Sequence, residues 1–507
     1  MKTKFQRRLT PASSALSAAA GATTPLLRAA ELRELETRHA SIHPPLMERA
    51  GCAAARFVRE RFDNGPVLIC AGTGNNGGDG FVMARELARA GIPVTVRFDA
   101  DPARLPADAA AAYRNCRGTS ANFCREVKEQ RFSVVVDALF GIGLARALEG
   151  QWASLVARIN AFEGPVLALD VPSGIAGDTG SVLGCAVRAT QTLSFIGGKP
   201  GLYTLDGPDH AGEVAVDNLG LELTDFPGAL LTIADFATGL RPRRRNSHKG
   251  TYGSLAVIGG TPGMSGAALL AARAGLMLGA GRVYAGLLQP LAVDPVQPEL
   301  MLRGADETLS LAQATAAVVG PGLGDSDQAL ELVRRAAGAD FPLLLDADAL
   351  NLVATHPVLA ARIRHRSAPT LLTPHPAEAA RLLGIPTEDV LRDRVAAALL
   401  LAKRLKAHVA LKGCGTIVAA PDGAWRINAT GNPGLASAGT GDVLAGMAGA
   451  LLAQGWPPFA ALCGAVHLHG AAADALVTAD EGPVGLAAGE LIPAARTLLN
   501  RLIAAHD

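Results

Sequence analysis

The sequence predicts an α/β fold with two consecutive domains, each built on a largely parallel sheet. Short apolar runs, rich in β-branched residues and bounded by Gly or Pro, alternate with Ala- and Leu-rich helical stretches from about residue 26 onward. Runs that are apolar on both faces are typical of parallel strands covered by helices on each side. A chain of 507 residues is also too long for a single hydrophobic core.

We therefore predict a disordered tail over residues 1–25, a first domain over 26–225 and a second domain over 226–507. Charge and proline concentrate in GLRPRRRNSHKGTYG (239–253), which favours a solvated segment near the domain boundary. The strands of the first domain are predicted at 66–70, 93–98, 132–137, 165–170 and 190–195. Those of the second are predicted at 254–260, 316–320, 342–347, 370–375, 408–413 and 416–420.

Composition argues against several classes of protein. The 47 basic and 46 acidic residues nearly cancel, which argues against a nucleic-acid-binding surface. Seven scattered cysteines without a CxxC pair favour reduced thiols over a disulfide framework or a structural zinc. We find no apolar run near the roughly 18 residues of a membrane span, and the basic start lacks the Leu-rich centre of a signal peptide. We predict a cytoplasmic protein that binds neither nucleic acid nor membranes.

A glycine-rich stretch, GTGNNGGDG, occupies residues 72–80, directly after a predicted strand. Gly72, Gly74 and Gly77 have the G-x-G-x-x-G spacing of dinucleotide-binding loops, and Asp99 closes the next strand, where such sites place a ribose-binding acid. The Asn and Asp residues between and after these glycines, however, bring side-chain oxygens to a place where a pyrophosphate needs bare N–H groups. Oxygens suit a hard cation. The alternative is a tight turn with a capping Asp.

Two further carboxylates close predicted strands of the first domain. Asp137 ends FSVVVD, Asp170 ends PVLALD, and Ser173 lies in the loop after the second of these strands. Because the carboxyl ends of parallel strands share one edge of a sheet, Asn76, Asp137 and Ser173 can converge there. A single Asp at a strand end is commonly a helix cap. Several oxygen-bearing residues without His or Cys indicate instead a site for a hard ion.

Five motifs, in this order, resemble the NAD(P)H-hydrate epimerase domain: LMERAG (46–51), NNGGDG (75–80), VDALFGIG (136–143), LDVPSG (169–174) and KPG (199–201). The resemblance covers roughly residues 26–222. It implies a doubly wound, Rossmann-like fold that holds potassium and the hydrated nicotinamide nucleotide.

Carried over residue by residue, the resemblance implies three sets of site residues. Asn76, Asp137 and Ser173 would ligate potassium. Asp170 would lie at the reacting ring, and Lys199 would be either its acid/base partner or a surface lysine beside a turn. The hydrated nucleotide would contact Asn75, Asn76, Gly77, Gly78, Asp79 and Asp170, and its phosphate side would meet the loop of Gly141, Ile142, Gly143, Leu144, Ala145, Arg146 and Ala147.

The second domain contains GNPGLASAGTGDVLAGMAGAL at residues 431–451. Gly439, Thr440 and Gly441 would present backbone N–H groups where a helix begins, an arrangement that binds anions. Asp442 follows in the first turn. It would either compensate the helix dipole or accept a proton from a hydroxyl that attacks phosphorus. We favour the catalytic role because the small residues admit a close ligand.

Other loops at predicted strand ends add candidate groups. GTPGMSGA (260–267) opens a helix but lacks the GK[ST] ending of a P-loop. Lys412 in LKGCGT would contribute a point charge to a phosphate, and His375 in TPHPAE lies where substrate is expected. Asp346 or Asp348 would help to hold magnesium or cap a helix.

GTGD with these loops resembles the ribokinase-like superfamily. The set HKGTYG, GMSGA, GPGLG, TPHPAE, KGCGT and GTGD resembles its ADP-dependent NAD(P)H-hydrate dehydratase branch over about residues 228–500. The resemblance implies that ADP, bound with magnesium, phosphorylates the hydroxyl of the hydrate and that phosphate then leaves, giving AMP and the dihydronicotinamide. The adenine nucleotide would contact Lys412, Gly413, Cys414, Gly415, Thr416 and Gly441, and the hydrate would contact Ala267, Gly324, His375 and Asp442.

Both resemblances together imply a bifunctional enzyme that repairs hydrated NADH and NADPH. The first domain would interconvert the R and S epimers, and the second would dehydrate the S epimer at the expense of ADP. We also expect a homo-oligomer. Three alternatives stay open: an oxidoreductase that binds intact NAD at residues 72–80, a small-alcohol kinase with an accessory domain, and a first domain that binds without catalysing.

Overall fold

The computed structural model describes residues 23–127 and 130–506. Its contacts divide the chain into two compact units, Thr24–Leu230 and the chain from Leu231 onward. This division lies five residues beyond the predicted boundary at 225/226. Each unit has its own hydrophobic core.

The edges of the two units differ slightly from the prediction. The predicted tail falls largely outside the described residues, but Pro25 forms a β-bridge with Ala229, and Leu26 is fully buried. The first unit therefore begins before residue 26. The Arg-rich residues 241–246 are exposed, as expected of a solvated segment, but they lie inside the second unit rather than between the two units.

The first unit is built on a seven-stranded sheet whose strands all run parallel. In chain order they are β1 (Val67–Ala71), β2 (Val94–Arg97), β3 (Asn122–Cys124), β4 (Val134–Ala138), β5 (Val166–Leu169), β6 (Gln191–Phe195) and β7 (Glu213–Asp217). Their spatial order is β3-β2-β1-β4-β5-β6-β7, so the winding reverses between β1 and β4. Doubly wound folds bind ligands at such a switch point, beyond the carboxyl ends of the strands.

The five strands that the sequence predicts for this unit are all present. The prediction misses β3 and β7, the two edge strands, because their residues are half-buried or exposed and form no continuous apolar run. A further three-residue strand, β8 (Gly228–Leu230), ends the unit.

The helices of the first unit cover this sheet, and one of them changes the interpretation of the glycine-rich stretch. The helix that follows β1 begins at Asn75, inside the glycine-rich stretch. NNGGDG therefore forms the first turns of the helix rather than a loop before it. The helices are Ala29–Arg38, Leu46–Arg61, Asn75–Arg89, Ala107–Arg117, Gln151–Asn160 and Gly207–Ala211.

The second unit contains nine strands in the part of the chain that the structure describes. They are β9 (Ser254–Gly259), β10 (Arg282–Leu287), β11 (Met301–Gly304), β12 (Ala316–Val319), β13 (Leu343–Leu345), β14 (Thr370–Leu372), β15 (His408–Leu411), β16 (Ile417–Ala419) and β17 (Trp425–Ile427). Their order is β11-β10-β9-β12-β13-β14-β15-β16-β17. The strands from β11 to β15 are parallel, and β15, β16 and β17 are antiparallel. The switch point lies between β9 and β12.

The six predicted strands of this unit are present, whereas β10, β11 and β17 are missed. These three mix Arg with apolar residues, which hides the strand pattern. The helices are Ser265–Met277, Ala305–Leu309, Asp327–Ala336, Asp348–Thr355, Pro357–Arg364, Pro376–Leu383, Thr387–Arg392, Arg394–Leu405, Thr440–Ala453, Pro458–Thr478 and Leu491–Ala505.

One helix among the described residues, Pro458–Thr478, is long and apolar enough to cross a bilayer by length and composition, with a mean hydropathy of 1.3. The prediction that no segment comes near this length is therefore wrong. Most of the helix, 67% of its apolar window, is buried inside the second unit, where it shares a core with Thr440–Ala453. Because a helix that is apolar all round is typical of a protein core, we interpret it as a core helix.

Close helix packing in the second unit depends on Gly446. A Cβ there would lie 2.0 Å from the carbonyl oxygen of Ala271 on the helix Ser265–Met277. We expect Gly446→Ala to lower the free energy of unfolding by about 1–3 kcal/mol, since the backbones must separate. Gly266→Ala is the matched control because its Cβ would meet open space on a helix. Urea unfolding measures both, and a Gly446→Ala protein as stable as Gly266→Ala would contradict this packing.

Candidate functional site

The first unit gathers charged residues where β5 and β6 end. Lys199, which follows β6, has no exposed surface, and its ammonium group forms an ion pair with Asp170. The same group donates hydrogen bonds to Ser194 Oγ (3.0 Å) and to the carbonyl of Phe195 (2.7 Å). The interpretation of Lys199 as a surface lysine is therefore wrong.

Asp170 has an unusual backbone that aims its side chain into this cluster. Its φ of +67° lies in the left-handed region, which is strained for residues other than glycine. The residue is 9% exposed, so the carboxylate is mostly buried yet reaches solvent. Loss of one partner of such a buried ion pair costs about 3–5 kcal/mol, because the other charge stays uncompensated. The Asp170–Lys199 pair is thus both a structural contact and an accessible carboxylate.

Asn76 and the loop after β4 complete this cluster. A Cβ at Gly141 would lie 3.0 Å from Asp170 Oδ2 and 3.5 Å from the Asn76 side chain, and the N–H of Ile142 donates to Asp170 Oδ2 (3.4 Å). Asn76 is 7% exposed, and neither its amide oxygen nor its amide nitrogen has a hydrogen-bond partner among the described residues. Buried amides without partners are rare. This one indicates that the site is completed by a ligand or ion.

Asp137 and Ser173 meet, as the strand-end pattern predicts. Asp137 accepts hydrogen bonds from Ser173 Oγ (2.6 Å) and from the Ser173 backbone N–H (2.7 Å), and both residues are fully buried. Ser173 Oγ also lies 2.9 Å from the N–H and 3.2 Å from the carbonyl of Phe140. Burial raises the pKa of Asp137 to about 6, and the hydrogen bonds from Ser173 oppose that rise.

These residues fit the predicted potassium ion in their chemistry. The donors are oxygens only, from a carboxylate, a hydroxyl and a buried amide without a partner, which is the set that hard cations prefer. Asp137 and Ser173 contact each other directly, whereas the Asn76 side chain lies beside Gly141, in the loop after β4. The role of all three residues as ligands stays a prediction.

The other residues of NNGGDG occupy different environments. Burial raises the pKa of Asp79 well above its ordinary value, as do the charges of Asp170 and Glu36, while Lys199 lowers it. Glu36, an exposed residue on the helix Ala29–Arg38, interacts electrostatically with Asp170 and Lys199. No motif pointed to Glu36.

The glycines of this motif have packing reasons of their own. A Cβ at Gly77 would lie 2.1 Å from the carbonyl oxygen of Gly72, and one at Gly78 would lie 2.6 Å from the Met47 side chain. Asn75 is exposed. The loop from residue 141 to residue 147 is exposed or half-buried, so a ligand can reach it. Substrate contact by these residues stays a prediction.

In the second unit, the start of the helix Thr440–Ala453 is shaped as the sequence predicts. Gly439 precedes it with a φ of +88°, and Thr440 Oγ1 donates to the carbonyls of Leu435 and Ser437 (3.0 Å each). His469 Nε2 lies 2.9 Å from the Thr440 carbonyl. These contacts anchor the backbone that presents the first N–H groups of the helix. No sequence motif indicates His469.

Asp442 lies in the first turn, next to a largely buried lysine. Burial and the charge of nearby Asp346 raise the pKa of Asp442 to about 6, while Lys412 opposes the rise. A Cβ at Gly441 would lie 3.3 Å from Lys412 Nζ, so the helix start adjoins the ammonium group. A carboxylate with a raised pKa is a better proton acceptor than an ordinary aspartate at neutral pH.

Lys412 itself is held by acidic partners. Its Nζ donates to Asp346 Oδ1 (2.9 Å) and lies 4.0 Å from Glu378, and Asp346 also accepts from Thr373 Oγ1 (2.8 Å). Burial lowers the pKa of Lys412, but the charges of Asp346 and Glu378 outweigh this effect and raise it. The ammonium group therefore stays charged where a phosphate is expected.

The two aspartates considered for magnesium are already engaged. Asp346 pairs with Lys412, and Asp348 Oδ2 accepts from the N–H of Gly324 (2.8 Å). Across the described ranges, no group of three or more His, Cys, Asp or Glu side chains is arranged to hold a metal ion. This donor set does not fit a resident magnesium, so an ion there would have to be carried by nucleotide phosphates.

The remaining predicted residues lie at the same edge of the sheet. His375 caps the helix Pro376–Leu383: its Nδ1 accepts from the N–H of Ala377 (3.1 Å), and its own N–H donates to Glu378 (2.7 Å). Burial and the charge of Lys412 lower the pKa of His375. Gly324 adopts a φ of +75°, and Ala267 is half-buried in the first turn of the helix Ser265–Met277.

Comparisons with known proteins cover both units. A family model described as NAD(P)H-hydrate dehydratase matches residues 255–494, and one described as YjeF-related protein N-terminus matches residues 44–201. A bifunctional NAD(P)H-hydrate repair enzyme Nnr from Coxiella burnetii is 39% identical over 485 residues, which cover 93% of this chain and 98% of the relative. The Escherichia coli K12 protein of the same name is 38% identical over 470 residues, which cover 90% and 89%.

Among solved structures, an ADP/ATP-dependent NAD(P)H-hydrate dehydratase from Bacillus subtilis, co-crystallized with ATP and Mg2+, is similar to part of the chain. The two are 34% identical, and the match covers 55% of this chain and 98% of that protein, with a TM-score of 0.48.

The raised pKa of Asp442 predicts a stability effect. The folded value of about 6 exceeds the ordinary 3.8, so the folded state binds the proton more tightly and loses stability as pH rises from about 4 to about 6. We expect Asp442→Asn to raise the free energy of unfolding at pH 8 on the order of 1–3 kcal/mol, with little change near pH 4.

Urea unfolding followed by tryptophan fluorescence checks this expectation, since the second unit contains Trp425 and Trp456. Asp422→Asn removes an exposed turn carboxylate of the same unit and serves as the control. An Asp442→Asn protein that is less stable than wild type at pH 8 would show that this carboxylate is not strained by burial.

Proposed function

The chain belongs to the bifunctional NAD(P)H-hydrate repair enzymes, and from this premise we propose which reaction each of its two sites catalyses. The first unit interconverts the R and S epimers of hydrated NADH and NADPH at Asp170 and Lys199. The second, a ribokinase-like unit, dehydrates the S epimer at the expense of ADP and releases AMP and phosphate. The observation that carries this proposal is Asp442, a carboxylate with a raised pKa beside Lys412 at a glycine-flanked helix start.

In the second site, Asp442 accepts the proton of the hydrate's hydroxyl group while the oxygen of that hydroxyl attacks the terminal phosphorus of ADP. The N–H groups at the start of the helix Thr440–Ala453 and the Lys412 ammonium stabilise the transferring phosphoryl group. AMP leaves with the bridging oxygen. The ring nitrogen's lone pair then expels phosphate from the phosphorylated carbon, and loss of a proton from the neighbouring carbon restores the dihydronicotinamide.

The other loops of this unit bind either the adenine nucleotide or the hydrate. Lys412, Gly441 and the rest of the loop 412–416 bind the adenine nucleotide. His375, which follows β14, and Gly324, which follows β12, contact the hydrate, with Ala267 at its margin. The geometry does not distinguish ADP from ATP; the choice of ADP rests on the family resemblance. Magnesium would enter as the counter-ion of the nucleotide phosphates.

In the first site, Asp170 takes and returns a proton at the hydrate, because its carboxylate is the accessible member of the pair. Lys199 compensates that charge from the buried side. Asn76, Asp137 and Ser173 would hold potassium, which supplies a fixed positive charge beside the bound nucleotide. The loop 141–147 contacts the phosphate side, and Asn75, Gly77, Gly78 and Asp79 contact the rest of the hydrate.

Fusion of the two activities follows from their stereochemistry. A dehydratase that takes only the S epimer leaves the R epimer unrepaired, and the epimerase converts that remainder. The matches to the two relatives cover 93% and 90% of this chain and so include both units, which disfavours an oxidoreductase or a small-alcohol kinase. We further propose a cytoplasmic homo-oligomer.

One assay tests the dehydratase site. The absorbance of dihydronicotinamide is followed from mixed epimers with ADP, ATP or neither. We expect wild type to restore nearly all of it with ADP, and Asp442→Asn to restore none because the hydroxyl keeps its proton. Asp422→Asn, an exposed carboxylate of the same unit, is expected to behave as wild type. A normal rate for Asp442→Asn would overturn the dehydratase assignment.

The same assay tests the epimerase site. Asp170→Asn and Asp137→Ala are expected to stop after the S fraction, since the R epimer is then converted only by the slow uncatalysed reaction. Asp178→Asn, a partly exposed carboxylate of the same unit, is the control. Full recovery at the wild-type rate by Asp170→Asn would support the alternative that the first unit only binds. If the wild-type protein epimerises the hydrate at the same rate without potassium, the assignment of potassium to this site is wrong.

A further inference from the structure

The loop 412–416 is held from one side by a single buried side chain, Arg394. This residue begins the helix Arg394–Leu405 and is 3% exposed. Its guanidinium donates hydrogen bonds to four backbone carbonyls of the loop and the strand before it: Leu411 (3.1 Å), Lys412 (3.1 Å), Cys414 and Gly415 (3.2 Å). The planar guanidinium carries five N–H donors, so one side chain can serve several acceptors at once.

These hydrogen bonds orient the peptide planes of the loop. In a trans peptide the C=O and the N–H point in opposite directions. Since three carbonyls within the loop are directed at the guanidinium, the N–H groups that share their planes are directed to the other side. They belong to Gly413, Gly415 and Thr416. Neighbouring backbone N–H groups on one side of a loop form a concave site for anions.

The two glycines of the loop make this arrangement possible. Gly413 has a φ of +141°, and a Cβ there would lie 2.7 Å from Arg394 Nη2. Gly415 also has a left-handed backbone, with a φ of +63°. The pattern K-G-C-G-T therefore combines a close approach to the guanidinium with the backbone conformations that only glycine adopts easily.

The loop adjoins the second anion-binding element of the unit. Gly441 lies against Lys412 Nζ, where a Cβ would come within 3.3 Å, and the N–H of Lys412 donates to the carbonyl of Pro374 (2.9 Å). One oriented set of N–H groups thus stands next to the helix start at Thr440. The two elements together suit a ligand with adjacent phosphates.

We propose that Arg394 is a positioning residue of the nucleotide site: it holds four carbonyls from behind and so presents the N–H groups of the loop to a phosphate of a nucleoside diphosphate. The inference rests on the proposed function of the loop 412–416. Arg394 touches neither substrate nor reacting atoms in this scheme. Burial, which lowers the pKa of the guanidinium to about 10, leaves it charged at neutral pH.

The test compares Arg394→Lys with wild type in the full-length enzyme. Lysine keeps the charge but lacks the planar fork, so it cannot hold four carbonyls. We expect the KM for ADP to rise about tenfold, while kcat and the KM for the hydrate change less than about twofold. Epimerisation by the first unit reports that the chain is otherwise intact. If the second unit of the Arg394→Lys protein does not fold, Gly413→Ala is tested instead. The Cβ that alanine adds at residue 413 displaces the guanidinium of Arg394.

Two further variants separate the possible outcomes. Arg404→Lys, on the same helix, loses a hydrogen bond to the carbonyl of Leu383 outside the loop, and its KM for ADP should be that of wild type. Lys412→Met tests the loop itself. If Lys412→Met weakens ADP binding and Arg394→Lys does not, the inference fails and the nucleotide site stands. If neither variant changes the KM for ADP, the assignment of the loop 412–416 as the nucleotide site is wrong as well. Loss of kcat at an unchanged KM would assign Arg394 a merely structural role.

Discussion

An ammonium group that is wholly or largely buried must be compensated, and each unit of this protein contains one where its parallel strands end. Lys199 pairs with Asp170 in the first unit, and Lys412 pairs with Asp346 in the second. Both pairs lie at the carboxyl edge of a sheet, where loops from successive strands meet. The cost of removing charges from water is offset there by the ion pair together with further hydrogen bonds, made by Lys199 in the first unit and accepted by Asp346 in the second. The candidate chemistry of each unit depends on these pairs.

The two pairs leave different groups available. In the first unit the aspartate of the pair is the member that reaches solvent, so it is also the proposed proton carrier. In the second unit Asp346 is almost completely buried and occupied, and a separate carboxylate, Asp442, lies next to the lysine. The first site therefore joins charge compensation and catalysis in one residue pair, whereas the second assigns them to different residues. This difference matches an epimerisation that moves a proton and a dehydration that also transfers a phosphoryl group.

All eleven predicted strands are present because buried parallel strands are continuous apolar runs, whereas edge strands such as β3 and β7 are half-exposed and give no such signal. The contact of Asp137 with Ser173 follows from their places at the carboxyl ends of the neighbouring strands β4 and β5. The burial of Lys199 does not follow, because it depends on how the chain after β6 turns back onto Ser194 and Phe195. Arg394 reaches the loop 412–416 from a helix whose sequence carries no motif, so only the tertiary structure reveals its role.

The central claim is that two separate sites act in turn on one damaged cofactor, and complementation tests it most directly. Asp170→Asn chains and Asp442→Asn chains are mixed in equal amounts with both epimers and ADP, and dihydronicotinamide is followed to completion. Because the hydrate diffuses between molecules, the mixture should recover nearly all of the cofactor, although Asp170→Asn alone stops after the S fraction and Asp442→Asn alone recovers none. A mixture that stops where Asp170→Asn stops would contradict the division of labour between the two units.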